Sequence, residues 1–309
     1  MGYLKVVKAL ISRTALPPPF LEFGILMGGA SAQGTQAFVF KYVFSNDVIT
    51  SGTALQHIRN NLAGGSSTTF GLAMAGYTTG DNTNYDLTDE YTYTTDGRIN
   101  GTTLGLARSN PMGLSTDVQA LCLAGSIGAS RQTYVDKYAF SDGTVTQGTS
   151  LTQPRMNGAG AGNLTFGIVA GGFSSTFTAV TRKYTYSGDV STAETNLLVA
   201  RDGIRGIGNG TLGIFAGGRT GAGYTDVSEK YTYSTDARAA ATSLLAARSP
   251  SGTIGNATLG IFLGGRSSTL QMEEVDKYTY SGDTIEAGTV LATPMMEGAG
   301  ASPSAMGRT

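Results

Sequence analysis

Lys277-Tyr278-Thr279-Tyr280-Ser281-Gly282-Asp283 decides the fold, because the chain carries variants of this short run six times. The upstream copies are Lys41-Tyr42-Val43-Phe44-Ser45, Glu90-Tyr91-Thr92-Tyr93-Thr94, Lys137-Tyr138-Ala139-Phe140-Ser141, Lys183-Tyr184-Thr185-Tyr186-Ser187 and Lys230-Tyr231-Thr232-Tyr233-Ser234. Alternation of aromatic and small polar residues has the period of two that puts one face of a strand in a core. The Gly and Asp residues that follow are turn formers, so each run reads as one arm of a hairpin. The first tyrosines stand 49, 47, 46, 47 and 47 residues apart.

A second marker keeps the same beat. Apolar strands end in paired small residues whose last members are Gly29, Gly76, Gly125, Gly172, Gly218 and Gly265. Between the markers sits an arginine, 17 residues after the tyrosine and 17 before the next terminal glycine, at Arg59, Arg108, Arg155, Arg201 and Arg248. Length varies only from glycine to tyrosine, where the interval is 13, 15, 13, 12, 13 and 13 residues. Each unit holds four short strands, and a period of this size is that of propeller blades. The expected fold is therefore all-β: a six-bladed β-propeller with four antiparallel strands per blade.

The sixth unit predicts how the ring closes. Seventeen residues beyond Tyr278 stands Met295 instead of arginine, and the chain ends at 309 before another glycine-terminated strand. Such a strand opens the chain instead, at residues 22–29. Front and back should share one blade, with about 297–306 supplying the inner strand and 22–57 the other three, which leaves no free sheet edge. Residues 1–21 form a separate amino-terminal extension and 22–309 the propeller. The extension carries Lys5, Lys8 and Arg13, ends in Pro17-Pro18-Pro19, and offers Val6, Val7, Leu10 and Ile11, which no blade needs. It reads as an anchor on a stiff spacer.

These residues resemble the kelch repeat: an apolar strand ending in Gly-Gly, a variable loop, a tyrosine strand, a last strand and an arginine before the next inner strand. The resemblance spans residues 22–309. It departs where kelch blades usually carry tryptophan, since this chain has none. The Gly/Thr/Ser-rich, weakly charged form is similar to kelch-like propellers of tailed-bacteriophage tail and fibre proteins. That resemblance implies a non-catalytic structural or adhesion component of a virion, partnered by other virion proteins through the amino-terminal segment and by a host-surface glycan or protein through its loops. The alternative is a glycan-binding, lectin-like propeller outside any virion, cytoplasmic or extracellular.

Composition excludes several other classes. Acidic and basic residues are 14% of the chain and the net charge is −1, so no global field gathers nucleic acid. No apolar stretch reaches the roughly 18 residues of a membrane helix. His57 is the sole histidine and Cys122, inside an apolar strand, the sole cysteine. Neither a metal site nor a histidine-dependent triad can be assembled from them, and no cofactor, metal or enzymatic activity is expected. The recurrent arginines read as a structural ring that ties blades together by donating to backbone carbonyls. Specificity should lie in the variable loops, with Tyr77, Asp81, Tyr85, Phe173, Phe177, Arg219, Tyr224, Arg266 and Met272 as candidate binding residues.

Overall fold

The computed structural model describes residues 22–268 and 270–303; the proposed anchor residues Val6, Val7, Leu10 and Ile11 lie outside them. Every regular element among the described residues is a β-strand. Six four-stranded antiparallel sheets form a ring of blades. Blade 3 shows the pattern: inner strand Met112–Ser115, second strand Gln119–Leu123, third strand Val135–Ala139 and outer strand Val145–Gln147, paired in that order. The first tyrosine of each repeated run is the next-to-last residue of its third strand, and the turn that follows leads to the outer strand.

Blade 1 is built from both ends of the described chain. Phe23–Ser31, Gly34–Val43 and Val48–Ser51 are its second, third and outer strands. Its inner strand is Ala299–Ala301, whose residues pair antiparallel with Met27, Leu26 and Ile25. The inner strand is thus shorter than the ten residues expected from sequence.

The core is divided into six wedges, one at each blade interface. Between blades 2 and 3, for instance, Leu72, Met74 and Leu104 pack with Ala120, Cys122 and Tyr138. Between blades 6 and 1, Ile261, Leu263, Leu291 and Met295 meet Leu26, Phe40 and Tyr42. The first tyrosine of every run is essentially excluded from solvent and packs on the preceding blade. Burying side chains of this size dominates the stability of each seam.

Along the axis the inner strands approach so closely that side chains are excluded. A Cβ on Gly64, Gly113, Gly160, Gly206 or Gly300 would overlap a carbonyl oxygen of the neighbouring inner strand. The sixth position of this ring is Thr253, whose hydroxyl donates to the Gly206 carbonyl at 2.7 Å. The axis consequently holds cavities of about 100 and 90 Å³ lined largely by backbone.

Hairpin aspartates explain one irregularity. Asp47, Asp96, Asp189, Asp236 and Asp283 stand five residues after the tyrosine and have φ of 49–55°, a left-handed conformation that aspartate tolerates better than most side chains. In blade 3 that place belongs to Gly143, with φ of 70°. The nearby Asp142 stands one residue earlier and caps its own turn by accepting from Thr144 N–H at 2.9 Å.

Candidate functional site

The arginines lie inside the protein. Arg59, Arg108, Arg155, Arg201 and Arg248 have no exposed surface. Each one spans two blades: its carbonyl accepts from the terminal glycine N–H of the preceding blade, as in Gly125 to Arg155 at 2.9 Å, and its side chain enters the following blade. Arg108 donates to the Cys122 carbonyl at 2.7 Å and to Asp136 at 2.6 Å. Arg59 pairs with Asp89 at 2.5 Å, Arg248 with Asp276 at 3.0 Å, and Arg201 with Glu229. These acids all stand two residues before the repeated tyrosine, a partner position that sequence reading had not assigned. Blade 1 replaces the pair with Met295 and Phe40, packed in one apolar cluster. Cys122 is fully buried, and burial pushes its thiol up to about 11 despite the nearby Arg108; it is not a nucleophile at neutral pH.

The variable loops and the arginine connectors emerge at one end of the ring, because inner and second strands run antiparallel. At this end a rim of backbone hydrogen bonds surrounds the axis: Asn61 N–H donates to Glu297 C=O at 2.7 Å, Asn110 to Asn61 at 2.9 Å, Asn157 to Asn110 at 3.0 Å and Gly203 to Asn157 at 2.8 Å. Pro250 has no N–H to continue the series, and the Ser249 hydroxyl reaches the Gly203 carbonyl instead, at 2.5 Å.

A polar depression of about 80 Å³ lies at this mouth, lined by Asn61, Asn157, Asp202, Arg205, Arg219, Tyr224, Arg266 and Glu297 among others. Arginines outnumber acids in it by one. Arg219 grips Asp202 with two donors, at 3.2 and 3.3 Å, and Arg266 approaches Glu297 at 3.6 Å. The Asn60 and Asn61 amides also donate to Glu297, at 3.0 and 3.2 Å. Among the described residues Arg205 bonds only backbone carbonyls, those of Ser251 and Ile204. Loss of hydration lowers its basicity, an effect that Glu297 and Asp202 oppose, while burial raises the Asp202 carboxyl against the pull of Arg219. Three guanidiniums face two carboxylates here.

Arg219 also joins this depression to an aromatic patch. Phe173 and Phe177 meet edge to face with centroids 5.5 Å apart. Arg131 of blade 3 lies over Phe173 at 5.1 Å, and Arg219 of blade 5 over Phe177 at 5.6 Å. Loops of three blades therefore build one surface of apolar faces flanked by cations. The blade 2 loop makes a separate cluster, where Tyr85 donates to Asp81 at 3.0 Å, Tyr77 bonds Asn82, and exposed His57 stacks on Tyr85 at 6.2 Å. Met272 pairs in register with Gly265 on the blade 6 hairpin and does not line the mouth. Of the nine loop candidates, Arg219, Tyr224 and Arg266 border the mouth, Phe173 and Phe177 adjoin it through Arg219, and Tyr77, Asp81, Tyr85 and Met272 lie apart.

Arg131, Asp202, Arg205 and Glu297 were not identified from sequence. Register carries the signal for Arg205: the residue four places after each arginine position begins an inner strand, and is Ala63, Met112, Ala159, Gly252 or Ala299 in the other blades. Only blade 5 has a charge there. Among the described residues no group of three His, Cys, Asp or Glu side chains is placed to hold a metal ion.

No protein-family model matches the chain, and no curated protein matches it. Solved structures do. One, described as "Structure of YjhT", superposes with a TM-score of 0.71 over 88% of this chain and 98% of that chain, at 9% sequence identity. A likeness at that identity is one of fold, and the chain is similar to that protein as a six-bladed β-propeller.

Proposed function

We propose that this propeller is a non-catalytic recognition module, a structural or adhesion component of a tailed-bacteriophage virion that meets its target with the loop face. One observation carries the recognition part: loops from three blades converge on a continuous surface of Phe173, Phe177, Arg131 and Arg219 that runs into the polar mouth. The axial cavities, of about 100 and 90 Å³, are lined largely by glycine backbone with few side chains to read a target, which supports recognition on the loop face. Rigid blades with one varied edge are a binding design. Assignment to a virion is supported by the Gly/Thr/Ser-rich kelch-like repeat and by the apolar, basic amino-terminal extension, read as an anchor to neighbouring proteins.

A free glycan-binding propeller is the second reading, favoured by the half-buried Phe173 and Phe177 rings flanked by Arg131 and Arg219, since sugars are held by apolar faces with a few placed polar groups. The test is sedimentation of the protein with particles or tail assemblies, set beside a glycan array. A virion component starting at Pro17 should lose incorporation, while Phe177→Ala with Arg219→Ala should keep incorporation and lose target binding. Retention on glycans by a protein that never sediments with particles would select the second reading. Unchanged target binding by the loop variant would overturn both.

A further inference from the structure

Blade 4 breaks the charge pattern of the other arginine blades. In blades 2, 3, 5 and 6 the buried arginine meets Asp89, Asp136, Glu229 or Asp276. The same acid also accepts a backbone N–H three residues before the arginine: Gln56 at 3.2 Å, Gly105 at 2.9 Å, Leu198 at 2.7 Å and Leu245 at 3.0 Å. Two residues before Tyr184, where blade 4 should carry its acid, stands Arg182.

Arg155 is nevertheless as buried as its counterparts. Among the described residues its donors reach only the carbonyls of Gly171 at 3.3 Å and Val180 at 2.6 Å, and its Nε and Nη2 find no partner. Arg182 turns to Ser191, bonding its hydroxyl at 3.4 Å and its carbonyl at 3.0 Å. No carboxylate forms an ion pair with either guanidinium among the described residues. Desolvation and the neighbouring Arg182 charge together push Arg155 down to about 10, which still leaves it a cation at neutral pH. A buried cation without a counter-charge is costly, and so are unmade hydrogen bonds to it.

We propose that blade 4 binds a small monovalent inorganic anion, of the chloride class, at the place the carboxylate takes in the other blades. Arg155 and Arg182 supply the charge, and the backbone N–H of Thr152, which stands where Gln56, Gly105, Leu198 and Leu245 stand, supplies a further donor. Access is from the outer surface of blade 4, since Thr152 is exposed and Arg182 only half-buried. The site is separate from the mouth and independent of what the loop face recognises.

Thermal unfolding of the full chain in sodium chloride and in sodium gluconate, at equal ionic strength, tests it. The wild type should melt about 2–4 °C higher in chloride, with a saturating dependence, because a ligand that binds only the folded state stabilises it by mass action. Arg182→Glu should melt higher than the wild type in gluconate and lose the response to chloride, its carboxylate having taken the anion's place. Equal melting of the wild type in the two salts would overturn the site, as would an undiminished chloride response in Arg182→Glu. Crystals grown in bromide give a reading that does not depend on the variant's folding: anomalous scattering should peak beside the Arg155 guanidinium, and its absence there sinks the proposal.

Discussion

Blades 1 and 3 are held to their neighbours by the same geometry and opposite chemistry. In blade 3 the connector delivers Arg108 to Asp136 and the Cys122 carbonyl; in blade 1 it delivers Met295 to an apolar cluster that includes Phe40. The backbone part is unchanged, since Gly265 N–H still finds the Met295 carbonyl at 2.6 Å. Both members of the pair have changed together, so neither a charge nor an acceptor is stranded. The comparison teaches that the ion pair is one of two ways to fill the seam, and that what the fold forbids is half of a pair.

Breaking one half gives the largest expected effect. Asp136→Asn leaves the Arg108 guanidinium buried without its counter-charge, and should cost about 3–5 kcal/mol in urea unfolding. Arg108→Met combined with Asp136→Phe copies blade 1 and should recover most of that loss, because an apolar pair of suitable volume replaces a buried ion pair at little cost. If the double variant is as unstable as the single one, the seams are not interchangeable and blade 1 owes its tolerance to something besides this pair.

Blade 4 sharpens the comparison with a smaller effect. Arg155→Met removes bonds to two carbonyls but strands no acid, so it should cost about 0.5–1.5 kcal/mol. Arg108→Met, which strands Asp136, should cost clearly more. Equal losses for the two substitutions would mean that the arginines act through packing of their alkyl stems and not through charge.

Much of this was legible because a repeat reports the same physics six times. Strand order, the shared blade and the seam position of the arginines follow from spacing alone: a tyrosine, an arginine and a glycine each 17 residues apart leave one connection free to vary. The acid partners were harder to read, because Asp89, Asp136, Glu229 and Asp276 sit in a column that also contains Phe40 and Arg182. A column with three chemistries looks like surface variation until the opposite column is set beside it. The mouth was illegible for another reason. Asp202, Arg205 and Glu297 come from different offsets of blades 5 and 1, and converge only when the ring closes. The axial glycines also hid their role, since glycine at a turn and glycine at a crowded axis are the same letter.

The outer belt supplies the smallest effect. At five interfaces the lysine before the repeated tyrosine bridges to the next blade's hairpin aspartate, as Lys230 does to Asp283 at 2.6 Å, both side chains about one-third exposed at 31% and 32%. Blade 2 has Glu90 in place of the lysine, and Tyr138 bonds that carboxylate instead. Burial alone would raise the Asp283 carboxyl, but Lys230, the Thr242 N–H and the Tyr278 hydroxyl hold it down to about 2. A depressed carboxylate stabilises the fold at any pH above its unfolded value near 3.8, and that contribution fades as pH falls through about 2. Solvent screening keeps it small, so Lys230→Met should cost about 0.2–1 kcal/mol at neutral pH. The gap between variant and wild type should be flat from pH 8 to 5 and shrink between pH 4 and 2, as the acid that Lys230 faces is protonated. Glu90→Lys should gain no such belt contact, because Gly143 occupies the hairpin position that an aspartate fills in the other blades. A clear stabilisation by Glu90→Lys, or a Lys230→Met gap that persists at pH 2, would show that the belt does not work through these paired charges.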